Sequence, residues 1–298
     1  MNKKKLLILF NPSSGKSTIR QELWQVVDIF VKGGYDVTVY PTQKRYDAHD
    51  VVSERSKEFD VIVICGGDGT LSEAIQGLVT LPSGERVTLG YIPCGSTNDF
   101  GASLEIPFEI PTAAQHIVDG KPISCDCGRF NGTPYLYISA FGMFTDVSYE
   151  TPQKIKNHIG HAAYILEGIK RLKNYSYYHI KVESEEITLE DDFILGFVSN
   201  TTSIGGMKNR FEYEPLLNDG LLECVLIKNP TSPSDYQSIL SAIMTQDLEC
   251  RNIVKFTTKD VTFTSTEEIK WTTDGEDGGS HKKTHIEVIP DAYKIIVK

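Results

Sequence analysis

The sequence predicts an α/β protein of two domains. An N-terminal doubly wound parallel sheet precedes a C-terminal domain that is a mainly antiparallel β-sandwich. Three observations support this prediction. The chain has 298 residues, which is enough for about two domains. Short apolar runs alternate with helical patterns up to residue 122, and from residue 123 strand candidates follow one another with turn signals between them.

The N-terminal region contains four strand–helix pairs, an alternation that is typical of a parallel sheet covered on both faces. Strands are predicted at Lys5–Phe10, Val37–Tyr40, Asp60–Cys65 and Val87–Ile92, and helices at Thr18–Lys32, Ala48–Glu58, Leu71–Val79 and Thr112–Val118. In such sheets ligands bind beyond the carboxyl ends of the strands.

The C-terminal region favours antiparallel pairing, because many of its apolar runs are separated only by short turn signals. Strands are predicted at Ile123–Phe130, Tyr135–Ser139, Tyr177–Glu183, Phe193–Ser199, Leu221–Ile227, Ile253–Thr258, Val261–Ser265, Ile269–Thr273, Thr284–Ile289 and Lys294–Val297. Two helical patterns interrupt them, at Gln153–Lys173 and Ser234–Gln246. We therefore place the domains at residues 1–122 and 123–298, with the extreme C-terminus a candidate for packing back on the first domain.

Composition excludes some classes of protein. The formal net charge of -10 argues against broad binding to nucleic acid, because like charges repel the phosphate backbone. No apolar segment approaches the ~18–20 residues that span a bilayer. The six cysteines show no metal-binding spacing, and Cys65 and Cys224 lie in apolar runs, so we expect reduced thiols and a cytoplasmic protein.

The segment Gly66–Thr70, GGDGT, leads from a strongly apolar strand into a helix. Glycines let backbone amides approach an anion, and a helix N-terminus favours negative charge. Asp68 is an acid at a site suited to phosphate, which a metal ion between the two would explain. A simple strand–helix turn is the structural alternative, although any two glycines would suffice for it.

Two further loops follow neighbouring strands of the predicted sheet. Asn11–Gly15 begins the first of them, which resembles a Walker A motif but has Phe10 where that motif needs its first glycine. Pro93–Phe100, PCGSTNDF, follows the fourth strand. Because the carboxyl ends of parallel strands meet at one sheet edge, the three loops together predict a phosphate site there.

These three loops, in this order and spacing, resemble the nucleotide-site motifs of the diacylglycerol kinase catalytic-domain family, and especially its soluble bacterial lipid kinase branch. Two later segments extend the resemblance across nearly the whole chain. Pro215–Glu223 resembles the structural magnesium loop of that branch, and Thr273–Glu276 resembles its catalytic loop. One departure is Gly101-Ala102, where the family often has alanine and arginine, so a helper cation is not expected there.

The resemblance implies an ATP-dependent lipid kinase that uses Mg²⁺ and converts diacylglycerol to phosphatidic acid in a cleft between the domains. ATP would be held by Asn11, Pro12, Ser13, Ser14, Gly15, Thr42, Gly66, Gly67, Asp68, Gly69, Thr70 and Thr97. Asp68 would also join the magnesium and water network at the phosphates. Asp219, with the carbonyl groups of Leu216 and Leu221, would bind a structural magnesium ion. Asp274 would accept the proton of the lipid hydroxyl, with Glu276 ordering its surroundings.

Several alternatives stay open at this point. NAD kinase shares the GGDGT loop, and a kinase of another lipid alcohol, such as a sphingoid base, would carry the same motifs. A catalytically silent nucleotide- or lipid-binding regulator is the non-enzyme alternative. Asp274 and Asp219 each also lie in a segment typical of a simple turn, since Asp and Gly are common turn residues.

Contact with a membrane surface is expected because the acceptor is a lipid. The segment Gln153–Lys173 has five basic residues against one acidic residue at helical spacing of its apolar positions. Such a helix can lie on an anionic membrane, but it can equally cover a protein core with a solvated basic face. The oligomeric state is left open, a homodimer included.

Overall fold

The computed structural model describes residues 3–15, 19–96, 98–142, 176–201, 203–204, 207–208, 217–245 and 248–298. The predicted helix Gln153–Lys173 and the site residues Thr97 and Leu216 lie outside the described residues. The chain forms two compact units. The first consists of Met1–Cys127 and Ile289–Lys298, and the second of Gly128–Val288. The prediction of a mixed α/β chain with two domains is confirmed.

The first unit alternates strands with helices. Its strands are β1 Lys4–Phe10, β2 Tyr35–Pro41, β3 Val61–Gly66, β4 Thr88–Pro93 and β5 Lys121–Phe130, which ends in the second unit. Its helices are α1 Ile19–Lys32, α2 Asp47–Arg55, α3 Asp68–Val79, α4 Asp99–Ser103 and α5 Ile110–Asp119, with short 3-10 turns at Ser56–Glu58 and Ser83–Glu85. β1 pairs in parallel with β2 and β3, and β3 pairs in parallel with β4.

Burial explains why these strands are apolar runs. Every residue of β3 is buried, and so are the last five of β1 and of β4. A parallel strand covered on both faces needs such a continuous run. The edge strand β2 is more exposed and alternates accordingly. The carboxyl ends of β1, β3 and β4 therefore lie side by side at one edge of a rigid sheet.

The second unit is built mainly from antiparallel strands. They are β6 Thr133–Tyr135, β7 Ile138–Gly142, β8 Tyr178–Ser184, β9 Thr188–Ser199, β10 Ser203–Ile204, β11 Met207–Lys208, β12 Leu222–Lys228, β13 Ile253–Thr258, β14 Asp260–Thr273 and β15 Glu276–Val297. The strand β15 ends in the first unit, where Ile295 pairs with Leu89 of β4 in parallel. The helix α6, Pro233–Thr245, covers one sheet face through Ile239, Ala242 and Ile243. The opposite face packs around Phe141, Phe263 and Trp271.

Some predicted elements were wrong in extent. Val261–Ser265 and Ile269–Thr273 are one strand, β14, whose pairing with β15 shifts register between Thr264 and Ile269. The predicted strands Thr284–Ile289 and Lys294–Val297 belong to β15 alone. The predicted strand Tyr135–Ser139 is divided between β6 and β7. The helix α4 was missed because it is only five residues long.

All six cysteines are free thiols, and all except Cys250 are buried. Among the helices of the described ranges, none is both long enough and apolar enough to cross a bilayer.

Candidate active site

Backbone hydrogen bonds join the three loops at the carboxyl edge of the first unit's sheet. The N–H group of Asn11 donates to the Cys65 carbonyl at 2.9 Å, and that of Cys94 donates to the Gly66 carbonyl at 2.7 Å. The N–H group of Thr42 donates to the Phe10 carbonyl at 2.9 Å, which brings the end of β2 to the same edge. The loops after β1, β3 and β4 thus form one structure, as their sequence positions predict.

Glycines occur where these loops touch. A methyl carbon built on Gly95 would lie 2.6 Å from the Gly67 Cα atom and 2.7 Å from the Asn98 Oδ1 atom. One built on Gly66 would lie 2.6 Å from the Thr70 Cβ atom. Gly15 has φ of +52° and approaches the Cys94 carbonyl so closely that a side chain would collide with it. Only glycine permits these approaches.

One asparagine joins two parts of the site, and a second fixes the conformation of its own loop. Asn11 donates from Nδ2 to the Thr70 hydroxyl at 3.1 Å, which connects the first loop to the helix α3. Asn98 accepts the Gly95 N–H group at 2.8 Å and donates to the Gly95 carbonyl at 3.0 Å. Asn98 has φ of 56°, a left-handed conformation that asparagine tolerates better than most residues. These hydrogen bonds of Asn98 were not predicted from the sequence, although Asn is a common residue at the start of a helix.

Asp68 lies at the first position of α3 and connects two loops. It accepts the Asp99 N–H group at 2.9 Å and the Tyr91 hydroxyl at 3.3 Å. Burial raises the pKa of the Asp68 carboxyl to about 6, and the hydrogen bonds from the Asp99 and Phe100 N–H groups oppose that rise. A partly desolvated carboxylate in this position would interact strongly with a cation. The sequence did not predict Tyr91, Asp99 or Phe100 as its partners.

The other predicted nucleotide residues occupy the first loop and its neighbour. The N–H group of Ser13 donates to the Asn11 side chain at 2.9 Å, and that of Ser14 to the Asn11 carbonyl at 3.2 Å, so Pro12 lies in a tight turn. Thr42 is half-buried at the end of β2. Gly69 is unlike its neighbours, since nothing lies within 4 Å of the position of its missing side chain.

In the second unit, Asp274 lies in the two-residue turn between β14 and β15. Asp274 and Gly275 have φ of 51° and 82°, and the flanking Thr273 and Glu276 pair with each other. Positive φ at both central positions is the type I′ geometry that Asp-Gly favours. The segment is therefore a turn, as the structural alternative predicts. A turn residue can also present its side chain to a substrate, so this geometry is compatible with a catalytic role for Asp274.

The Asp274 carboxylate is held by a loop far away in sequence. It accepts the N–H groups of Leu136 at 2.6 Å, Tyr137 at 2.9 Å and Ile138 at 3.3 Å. The Asp274 N–H group donates to the Ile138 carbonyl at 2.8 Å. The residue is 9% exposed. Asp274 is thus buried and fixed in position, whereas Gly275 and Glu276, directly after it, are exposed.

The segment predicted to bind structural magnesium is a turn that leads into β12. Asp219 is exposed and accepts the Leu221 N–H group at 3.0 Å, and Gly220 has φ of 73°. In the parts of the chain that the structure describes, no group of three or more His, Cys, Asp or Glu residues is arranged to hold a metal ion. The predicted site consists of one carboxylate and two main-chain carbonyls, so it does not count as a group of three such side chains. Its oxygen atoms are ligands that Mg²⁺ accepts.

Comparison with known proteins identifies the class. Residues 5–130 match the diacylglycerol kinase catalytic domain, and residues 141–297 match the YegS C-terminal NAD kinase beta sandwich-like domain. Diacylglycerol kinase of Bacillus subtilis (strain 168) is 31% identical over 278 residues, which are 93% of this chain and 91% of that protein. The chain belongs to the diacylglycerol kinase family. It is a kinase.

Further relatives of this lipid kinase agree. Diacylglycerol kinase of Staphylococcus carnosus (strain TM300) is 29% identical over 294 residues, covering 96% of this chain and 95% of that protein. A crystal structure from Bacillus anthracis str. Sterne, provisionally assigned as a diacylglycerol kinase, has a TM-score of 0.85 at 27% identity. The alignment of the two structures covers 100% of this chain and 96% of the Bacillus anthracis chain. The catalytic-domain match contains all three loops of the first unit, and the second match contains Asp219 and Asp274.

Proposed function

We propose that this lipid kinase transfers the γ-phosphoryl group of ATP to the hydroxyl group of diacylglycerol, giving phosphatidic acid. The observation that carries the proposal is the joined set of glycine loops at the edge of the first unit's sheet. Its support comes from the relatives, which are named diacylglycerol kinases and match nearly the whole chain. The acceptor is a membrane lipid, so we expect the reaction to occur at a membrane surface.

ATP is proposed to bind over the loops that begin at Asn11, Gly66 and Gly95. Gly67 and Gly69 carry no side chain over their backbone, and α3 begins at Asp68, so its N-terminus lies in the loop that follows β3. Backbone N–H groups and a helix N-terminus stabilise phosphate oxygens. Thr42 is proposed to contact the nucleotide from the end of β2. Phosphoryl transfer depends mainly on such positioning and on charge stabilisation.

Asp274 is proposed as the residue that accepts the proton of the lipid hydroxyl. Three backbone N–H groups orient its carboxylate, and the exposed Gly275 and Glu276 place the turn at the surface of the second unit. A fixed carboxylate near the nucleophile is the arrangement that general base catalysis needs. Glu276, two residues on, is proposed to order the surrounding network.

Magnesium is proposed at two places, and the residues present fit it. Asp68 offers a partly buried carboxylate beside the phosphate loops, and Asp219 offers an exposed carboxylate in the turn before β12. When bound, Mg²⁺ would neutralise phosphate charge at the first site and rigidify the turn at the second. The roles of Asp68 and Asp219 are to hold these ions by oxygen atoms, which hard cations prefer.

The acceptor is tested by offering the wild-type protein [γ-³²P]ATP with mixed micelles of diacylglycerol, with micelles of a sphingoid base and with NAD. We expect label in phosphatidic acid and at least tenfold less in the other two products. NAD is included because the second domain resembles an NAD kinase β-sandwich. Label in phosphorylated NAD, or none in any acceptor, would refute the proposal. The second result would favour a silent nucleotide- or lipid-binding regulator.

A further inference from the structure

Two buried polar side chains face each other near the turn that contains Asp219. Glu223 of β12 pairs directly with Ser199 of β9, and both residues are 0% exposed. Among the described residues, no other residue forms a hydrogen bond with the Glu223 carboxylate or with the Ser199 hydroxyl. Directly opposed residues on antiparallel strands have Cβ atoms about 4.5–5.5 Å apart, so the two groups share one space.

An unpartnered carboxylate is costly in this position. Burying an ionised acid without a partner costs several kcal/mol, and such groups in proteins are normally paired with a cation or bound to a metal. Within the described ranges, no basic side chain contributes to the electrostatic environment of Glu223. The one charged side chain that does is Asp219, which is also acidic.

The local geometry brings these groups to one end of the sheet. The turn at Asp219 leads directly into β12, in which Glu223 is the second residue. Asn200, which follows Ser199, donates from Nδ2 to the Leu217 carbonyl at 3.5 Å and so connects the end of β9 to the same turn. Asp219 therefore lies near the surface, and Glu223 with Ser199 lies behind it in the interior.

We propose that Glu223 is a second carboxylate of a divalent cation site at this turn. Asp219 faces the cation from the surface, and Glu223, with the Ser199 hydroxyl beside it, faces the cation from the interior, directly or through a bound water. Carboxylate, hydroxyl and carbonyl oxygens are the ligands of hard cations such as Mg²⁺. The inference rests on the magnesium turn of the proposed function, and it adds a residue outside that turn.

The test measures cation binding without nucleotide or lipid, so its outcome does not depend on lipid phosphorylation. Thermal unfolding is followed in EDTA and in increasing MgCl₂ for wild type, Glu223→Gln, Asp219→Asn and the control Glu183→Gln. Glu183 is a half-exposed acid on β8, where it pairs with Lys181. The Gln variant keeps the shape of Glu223 and removes its charge.

We expect Mg²⁺ to raise the melting temperature of wild type and of Glu183→Gln. In Glu223→Gln and Asp219→Asn the apparent Mg²⁺ affinity should fall about 10–100-fold, the usual loss when a supporting metal partner is removed. In EDTA, Glu223→Gln should melt at or above the wild-type temperature, because an unpartnered acid has gone. An unchanged Mg²⁺ response in Glu223→Gln, or no response in wild type, would overturn the proposal.

A second measurement needs no variant and covers the case in which Glu223→Gln fails to fold. Amide hydrogen exchange of the wild-type protein is compared with and without MgCl₂. The proposal predicts slower exchange in peptides that contain Ser199 and Glu223, because a bound cation would connect β9 and β12 with the turn. Equal exchange in those peptides would contradict it.

Discussion

Replacing Gly95 by alanine should separate two loops of the nucleotide site. The new methyl carbon would lie 2.6 Å from the Gly67 Cα atom and 2.7 Å from the Asn98 Oδ1 atom. Carbon atoms in contact prefer about 3.5–4.0 Å, so the loops must move apart by roughly 1 Å. Overpacking costs about 1–3 kcal/mol, and loss of the two Asn98 hydrogen bonds adds about 0.5–1.5 kcal/mol each. Together these terms amount to about 2–6 kcal/mol, so at ~2–4 °C per kcal/mol the melting temperature should fall by about 4–24 °C.

The assay combines thermal unfolding with calorimetric titration of ATP, and it has two controls. Gly84→Ala lies in an exposed turn away from the loops, and Gly69→Ala lies within the same GGDGT segment. Neither position has an atom within 4 Å of the new methyl carbon. We expect Gly84→Ala to keep the wild-type melting temperature. Gly69→Ala should keep or raise it, because alanine in α3 can add up to about 1 kcal/mol of helix propensity. ATP affinity should fall in Gly95→Ala. The reasoning would be refuted if Gly95→Ala kept the wild-type melting temperature and ATP affinity. It would also be refuted if Gly69→Ala lost as much stability as Gly95→Ala.

Two other predictions concern Asn98 and the first turn of the helix α6. In denaturant titrations, Asn98→Ala should destabilise the protein by about 2–4 kcal/mol, because it loses two hydrogen bonds and keeps a left-handed φ. Asn98→Gly should lose only the hydrogen bonds, which is about 1–2 kcal/mol. Equal losses in the two variants would contradict the cost assigned to the left-handed φ. Hydrogen bonds from Arg251 and Ser232 hold the pKa of Asp235, in the first turn of α6, well below its usual range of about 3.8. Its contribution to stability is therefore present above that value and lost as pH falls below it. Asp235→Asn should lower the melting temperature at pH 7, and the difference should shrink near pH 3; an equal deficit at both pH values would count against this account.

The sequence predicted the loops of the site better than the contacts between them. The GGDGT loop and its neighbours are local patterns whose glycines report backbone geometry. The bonds from Asp99 and Tyr91 to Asp68 join separate segments of the chain, so no local pattern contains them. Asp274 is a clearer case, because the N–H groups that hold it belong to residues 136–138.

The predicted strand boundaries were wrong for a different physical reason. The polar stretch between Ser265 and Ile269 predicted a turn, yet the strand continues and only its pairing register shifts. Polar residues can stay in a strand when one side of it faces solvent. A similar continuation passes through Asp291, whose φ of 48° bends β15 without ending it. Sequence patterns therefore locate the strands and leave bulges undetected.

The central claim is that the chain phosphorylates a lipid through the Asp274 carboxylate, and product formation tests it most directly. Labelled phosphatidic acid is measured from [γ-³²P]ATP and diacylglycerol micelles for wild type, Asp274→Asn and the control Asp277→Asn. Asparagine tolerates the left-handed φ at position 274, and Asp277 is an exposed acid of the same hairpin. We predict that Asp277→Asn keeps wild-type activity and that Asp274→Asn loses about 10²–10⁴-fold in kcat, measured below the melting temperatures of both variants. Asparagine has only one acceptor oxygen for the N–H groups of residues 136–138, so the melting temperature of Asp274→Asn should also fall. Phosphatidic acid formed at equal rates by all three proteins would contradict the account.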